Sequence, residues 1–178
     1  MRFDLLPVVA YAWRRRGVPM RIPTPGRNVR VAVCGAYRWQ RGPFVYSHGE
    51  GYPNTARFVE MVTQLGHRAR RTGRLVVLVL DNGSAHKSGR STRVLQQYEG
   101  LVQPFWLPSY SSEELNDIEG LWKRLKEDHF SRMLVGRRTA FEDAVVALLD
   151  TLRPSGAVRR LLRARSSKGP CTKLVKVA

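Results

Sequence analysis

Leu75-Val76-Val77-Leu78-Val79-Leu80 is an unbroken apolar run, bounded by Gly73 before it and by Asp81-Asn82-Gly83 after it. The run is short and rich in β-branched residues. It reads as a strand buried on both faces, as in a sheet covered by helices. Upstream, Phe58, Met61, Val62 and Leu65 recur at helical spacing within 54–71, and Gly73 supplies the stop. Before that helix, Val29–Tyr37 and Pro43–His48 read as two strands of a hairpin turning at Gly42-Pro43. Residues 1–25 carry Pro7, Pro19, Pro23 and Pro25 and read as a loop or irregular arm.

Downstream, 84–98 reads as a short helix and Leu101–Leu107 as a strand that Pro104 assigns to a sheet edge. Leu115–Phe130 is expected to be helical, with Leu115, Ile118, Trp122 and Leu125 on one stripe. Thr139-Ala140-Phe141-Glu142 is a capping-box pattern opening a helix with Phe141, Val145, Leu148 and Leu152 inward. From Arg153 the periodicity gives way to a basic tail. Strands alternating with helices in this order indicate an α/β domain over 1–152, followed by a tail at 153–178.

The 178 residues hold 31 Lys and Arg against 14 Asp and Glu, a net charge of +17, and 25 of the cations are arginine. Apolar residues make up 43%, enough for a packed core, so global disorder is excluded. No apolar run approaches the roughly 18–20 residues of a membrane helix, and the N-terminal residues lack a signal-peptide pattern. Cys34 and Cys171 stand far apart, outside any CxxC pairing, which argues against a disulfide framework or a cysteine zinc site. A cytoplasmic protein with no membrane partner is expected. Its cationic excess suits a polyanion, since each Lys or Arg placed on a phosphate releases a counterion and arginine's forked donors match phosphate oxygens. After Asp150 there is no acid, while Arg159, Arg160 and further cations accumulate.

Two carboxylates stand at informative places. Asp81 closes the apolar strand, and the carboxyl ends of strands in open α/β sheets are where ligands gather; Asp-Asn-Gly is equally good turn chemistry. Glu119 falls early in the Leu115–Phe130 helix, on the border of its apolar stripe beside Asn116 and Lys123. There it can reach along the sheet, or simply complement the helix dipole.

The words around these acids are more specific. LVLDNGSAHKS (78–88) and FWLPSYSSEELNDIEGLWKRLK (105–126) resemble the mariner-like transposases of the insertion-sequence-630 family, and AWRRRG (12–17) and NVRVAVCGAY (28–37) add to the likeness. Asp81 matches the family's second catalytic acid and Glu119 its third. SYSSEELN is one residue longer than the family's usual word, and an extra loop residue ahead of the helix absorbs the difference.

The resemblance implies a ribonuclease-H-like mixed sheet flanked by helices. It also implies a DDE transposase or endonuclease that cleaves DNA phosphodiesters and transfers strands through carboxylate-held Mg²⁺ or Mn²⁺, two ions in the complete enzyme. Asp81 and Glu119 are then the catalytic and metal-binding residues, and Asn82, His86 and Asn116 support them. Lys87, Lys123, Lys126, Arg159 and Arg160 are assigned to DNA. The family's first acid, an Asp-Glu word counted back from Trp13, falls just upstream of Met1. Asp4 stands in a variable slot and is a poor substitute.

The expectation is therefore an N-terminally truncated or split transposase lacking its first central strand. Such a chain binds DNA weakly and does not cut it alone. Its partners would be transposon ends and target DNA, the upstream half of a split product, or a second copy in a homodimer. The alternative is a non-catalytic cationic nucleic-acid-binding protein or transposase relic. Trp106 and Trp122 are expected in the core, and Ser111 and Ser112 lack the histidine a serine hydrolase needs.

Overall fold

The computed structural model describes residues 1–5, 16–17, 28–38, 42–109, 115–130 and 138–163. Residues 12–15 of the AWRRRG word, Ser111, Ser112, Cys171 and the tail from 164 onward lie outside them.

Three strands, β1 (Arg2–Asp4), β2 (Arg30–Tyr37) and β3 (Phe44–Glu50), form an antiparallel sheet in that order. The hairpin is the expected one, with Gly35 opposite Tyr46 and Tyr37 opposite Phe44. Its alternation serves two faces. Val31, Val33, Phe44 and Tyr46 enter one core, while Cys34, Ala36 and Val45 pack toward the other.

The next element is α1 (Thr55–Thr72), capped by Asn54, whose Oδ1 accepts from Arg57 N at 3.2 Å, and ended by Gly73 at φ 63°. β4 (Val76–Leu80) and β5 (Val102–Trp106) pair in parallel, linked by α2 (Gly89–Gln97). Phe58, Met61, Val62 and Leu65 of α1 close over Leu78, Leu80, Val94, Tyr98 and Val102. After β5 come α3 (Asp117–Leu125), a π-helical turn at Lys126–Phe130, α4 (Arg138–Asp150) and α5 (Ala157–Arg163). Leu121, Trp122, Leu125, Phe130, Phe141, Val145 and Leu149 pack on β1–β3 from the side opposite α1. Helices therefore cover both faces of the antiparallel sheet, and no helix among the described residues is long and apolar enough to cross a membrane.

Several expectations are corrected. The apolar run 75–80 is buried on one face only: Leu78 and Leu80 are inside, whereas Leu75 is 57% and Val77 38% exposed. α1 and α2 cover a single face of a two-stranded sheet, so alternate residues turn outward. The N-terminal residues are not all loop. Phe3 and Leu5 are buried against the α3 side, and a short first strand forms at the edge of its sheet, pairing with β2.

α2 begins at Gly89, later than expected, because residues 81–88 are spent on a turn that ends with Ser88 as cap. Leu115 precedes the regular part of α3 and is exposed, and Leu121 takes the inner position. α4 opens at Arg138, placing Thr139 within its first turn instead of at its cap. The segment from 153 is not patternless: Val158, Leu161 and Leu162, at helical spacing, pack α5 onto the main core. Trp106 is 37% exposed, unlike the buried Trp122.

Cys34 Sγ lies 3.7 Å from Met61 Sδ beneath α1. Burial pushes its pKa up to about 11 from 9.0; the chain's terminal ammonium opposes the shift and Asp81 adds to it. An acid with a raised folded pKa ionises first in the unfolded chain. Stability is therefore unaffected below about pH 9 and falls as pH rises toward 11, by at most ~2–3 kcal/mol. Chemical denaturation at stepped alkaline pH should show this slope, and Cys34→Ala should flatten it. An unchanged slope in Cys34→Ala would assign the alkaline loss to other groups, such as Tyr37 and Tyr46, whose pKa values burial also raises.

Candidate functional site

β4 and β5 run in parallel, so both end on the same side, and the chain builds a braced loop there. Leu107 N donates to Leu80 O at 2.8 Å, extending the ladder past the last strand residue, and Asn82 Nδ2 donates to Leu107 O at 2.7 Å. Asn82 thus ties the exit of β4 to the exit of β5. It holds the backbone immediately after Asp81 and is a positioning residue.

Asp81 is fixed by its neighbours. Its Oδ1 accepts from Gly83 N at 2.9 Å and from His86 Nδ1 at 2.9 Å. A carboxylate oxygen only accepts, so the His86 proton lies on Nδ1. The His86 ring stacks obliquely on Phe58 of α1, centroids 4.6 Å apart, which anchors it to the core. Both hydrogen bonds fall on Oδ1, and Oδ2 of this one-third exposed side chain has no partner among the described residues.

Glu119 lies in the first turn of α3, where Glu119 N donates to Asn116 O at 3.0 Å. The helix N-terminus stabilises its negative charge. Its carboxylate is exposed and has no hydrogen bond or ion pair among the described residues. Asn116 caps α3 by position, without a side-chain capping bond, and its amide has no hydrogen bond among the described residues.

Burial lowers the pKa of the Met1 ammonium, while Cys34, Glu119 and Asp81 all pull it back up and Lys126 adds to the lowering. That ammonium donates to Val33 O at 2.8 Å, in the middle of β2. Asp81 follows the parallel pair and Glu119 opens α3, and the charge of each favours the protonated form of that ammonium.

Among the described residues there is no group of three or more His, Cys, Asp or Glu side chains that could hold a metal ion. Two carboxylates with uncommitted oxygens nevertheless suit a hard cation, since Mg²⁺ is commonly held by one or two carboxylates with water and phosphate oxygens completing the shell. Asp4 is committed elsewhere, to Arg2 at 2.9 Å, Arg30 at 3.4 Å and Asn28 at 3.2 Å.

The expected DNA-binding cations scatter more widely. Lys123 is exposed one turn along α3 from Glu119, and Lys126 is close enough to influence the Met1 ammonium. Lys87 Nζ sits 5.5 Å from the centroid of the exposed Trp106 ring, beside the Asp81 loop. Arg159 and Arg160 lie on α5. Sequence reasoning missed Tyr37, at the end of β2, whose buried hydroxyl has no hydrogen-bond partner among the described residues and whose pKa is raised by burial and then by Asp117. Its place opposite Phe44 in the hairpin was the only available signal.

The family described as DDE superfamily endonuclease matches residues 1–142. A relative from Shigella sonnei, the insertion element IS630 uncharacterized 39 kDa protein, is 28% identical over 126 residues, covering 69% of this chain and 35% of the relative. Among solved structures, the Mos1 mariner paired end complex with Mn matches with a TM-score of 0.57 at 11% identity, covering 92% of this chain and 50% of that one. The likeness bears out the ribonuclease-H-like fold expected from the sequence. The chain spans about a third of the first protein's length and half of the second's.

Proposed function

The chain belongs to the DDE superfamily endonucleases, and from that premise we propose that it is part of the catalytic domain of an insertion-sequence transposase, which cleaves and joins DNA phosphodiesters with a divalent metal. The observation that carries this reading is the family match over residues 1–142, within which Asp81 directly follows β4 and Glu119 lies in the first turn of α3. Their partnerless oxygens would hold Mg²⁺ or Mn²⁺. When bound, such an ion supplies Lewis-acid activation of a water or 3′-hydroxyl and charge stabilisation at the leaving oxygen.

The chain's own residues do the rest. Gly83 N and His86 lock Oδ1 of Asp81 so that Oδ2 faces the ligand. Asn82 fixes the loop, and Asn116 presents an uncommitted amide beside Glu119. Lys123 and Lys126 neutralise the scissile strand, Lys87 and Trp106 offer a cation and a ring face next to Asp81, and Arg159 and Arg160 extend the cationic surface. No protein nucleophile is needed. DNA is the partner, at transposon ends and target, in the whole protein.

A second reading, nucleic-acid binding without cleavage, is favoured by the absence of a third ligand among the described residues. Mn²⁺ binding, followed by paramagnetic broadening of nearby resonances, separates the two together with plasmid nicking in Mg²⁺ or Mn²⁺. Mn²⁺ should bind the chain, and either Asp81→Asn or Glu119→Gln should weaken it about tenfold or more. Metal-dependent nicking lost in both variants supports catalysis. Mn²⁺ binding or nicking that survives both substitutions overturns the carboxylate site, and salt-sensitive DNA binding with neither Mn²⁺ binding nor nicking establishes the second reading.

A further inference from the structure

The outer edge of β3, on the far side of the hairpin from β1, carries a groove of about 210 Å³. It is lined by Pro43, Phe44, Val45, Gln64, Arg68, Arg71 and Arg153, three arginines and no carboxylate. We propose that this groove is a second phosphate-binding subsite, which grips the backbone of a DNA strand away from the Asp81–Glu119 pair. The inference rests on the reading of DNA as the partner, but not on metal binding or cleavage.

Three features make the groove an anion site. Arg68 and Arg71, three residues apart on α1, point the same way, and neither has an ion pair among the described residues. Arg153 arrives from beyond α4 and is held in place: its guanidinium lies 4.7 Å from the Tyr46 ring centroid, and Nε pairs with Asp150, which also accepts from Tyr46 Oη at 2.8 Å. The strand edge itself offers donors. Gln64 Nε2 donates to Tyr46 O at 3.1 Å and Arg57 Nη1 to His48 O at 2.6 Å, so the outward carbonyls there are already satisfied.

In a strand the N–H and C=O of one residue point to the same side. The N–H groups of Tyr46 and, two residues earlier, Phe44 therefore face outward too. Guanidinium forks and backbone donors, with Asp150 engaging only Arg153 of the three arginines and no described ion pair on Arg68 or Arg71, select an anion with several oxygens. The same arrangement disfavours an added β-strand, which would need the capped carbonyls.

The test measures binding of a labelled short DNA duplex by fluorescence anisotropy across a salt series in chelator. It uses the full chain carrying Asp81→Asn and Glu119→Gln, so that failure of the metal site cannot affect the readout. Arg68→Ala/Arg71→Ala is compared with Arg90→Ala/Arg93→Ala on α2, which removes the same charge elsewhere. The groove variant should weaken binding about tenfold more than the control and reduce the slope of log K against log salt by about 2. Arg68→Lys/Arg71→Lys should keep most of the slope while losing part of the affinity. Inorganic phosphate serves as a competitor. Equal losses in the groove and control variants overturn the proposal. So does phosphate binding that depends on Arg68 and Arg71 while duplex binding does not, which would assign the groove to a free anion.

Discussion

Trp122→Ala should cost about 3–5 kcal/mol of folding stability, a large fraction of what a domain of this size has. The ring is 4% exposed and joins three strands to α3. It stands edge-on to Phe3 of β1 at 6.2 Å and to Phe44 of β3 at 5.9 Å, and its tip fills the space beside Gly35 of β2, where an added Cβ would meet it at 3.0 Å. Truncation removes those contacts at once and leaves a cavity that three strands cannot collapse to fill. Glu119 lies one turn earlier on the same helix, so the loss should also loosen its position. Denaturant unfolding of Trp122→Ala and of Trp106→Ala provides the measurement. The exposed Trp106 should cost less than about 1 kcal/mol, and equal costs would refute this account of the core.

Gly66→Ala should destabilise by about 1–3 kcal/mol, although alanine is the better helix former by roughly 1 kcal/mol. A Cβ at residue 66 would sit 2.2–2.4 Å from three atoms of the Tyr98 ring. That ring is 2% exposed, with His67 5.9 Å away and Arg70 over its face at 5.8 Å, so it has nowhere to move. α1 and α2 approach closely because residue 66 has no side chain. Gly120→Ala in α3, where nothing lies within 4 Å, is the matched control and should be neutral or stabilising. In a Tyr98→Ala background the penalty at 66 should largely vanish. A stabilising Gly66→Ala in the native chain would mean that the two helices are not in such close contact.

The sequence carried more of the fold than of the site. The hairpin, α1 and the strands β4 and β5 could be read, though not their parallel pairing, because their apolar spacing matches a strand or helix period and Gly, Asn or Pro punctuates their ends. The one-sided burial of Val77 could not be read, because period and composition do not say which faces a tertiary neighbour will cover. Leu115 and Leu121 both lie near the apolar face of α3, and only the start of the helix at Asp117 decides between them. α5 was hidden by its arginines, which mask the Val158, Leu161 and Leu162 spacing. Asp81 and Glu119 were visible as well-placed acids, and the resemblance raised them above turn and cap chemistry. The anchoring of His86 on Phe58 of α1, and the convergence of arginines on the β3 edge, depend on packing between distant segments that no local pattern encodes.

The absence of backbone pairing between β1 and β4 among the described residues has a mechanical side. A ladder of peptide hydrogen bonds is a stiff joint; here the two sheets are coupled instead through α1, which touches β2, β3, β4 and β5 alike. Asp81 rides on one sheet, and Glu119 rides on a helix packed against the other. The path from one acid to the other therefore runs through packed side chains, a more compliant linkage than a continuous ladder of peptide groups would be.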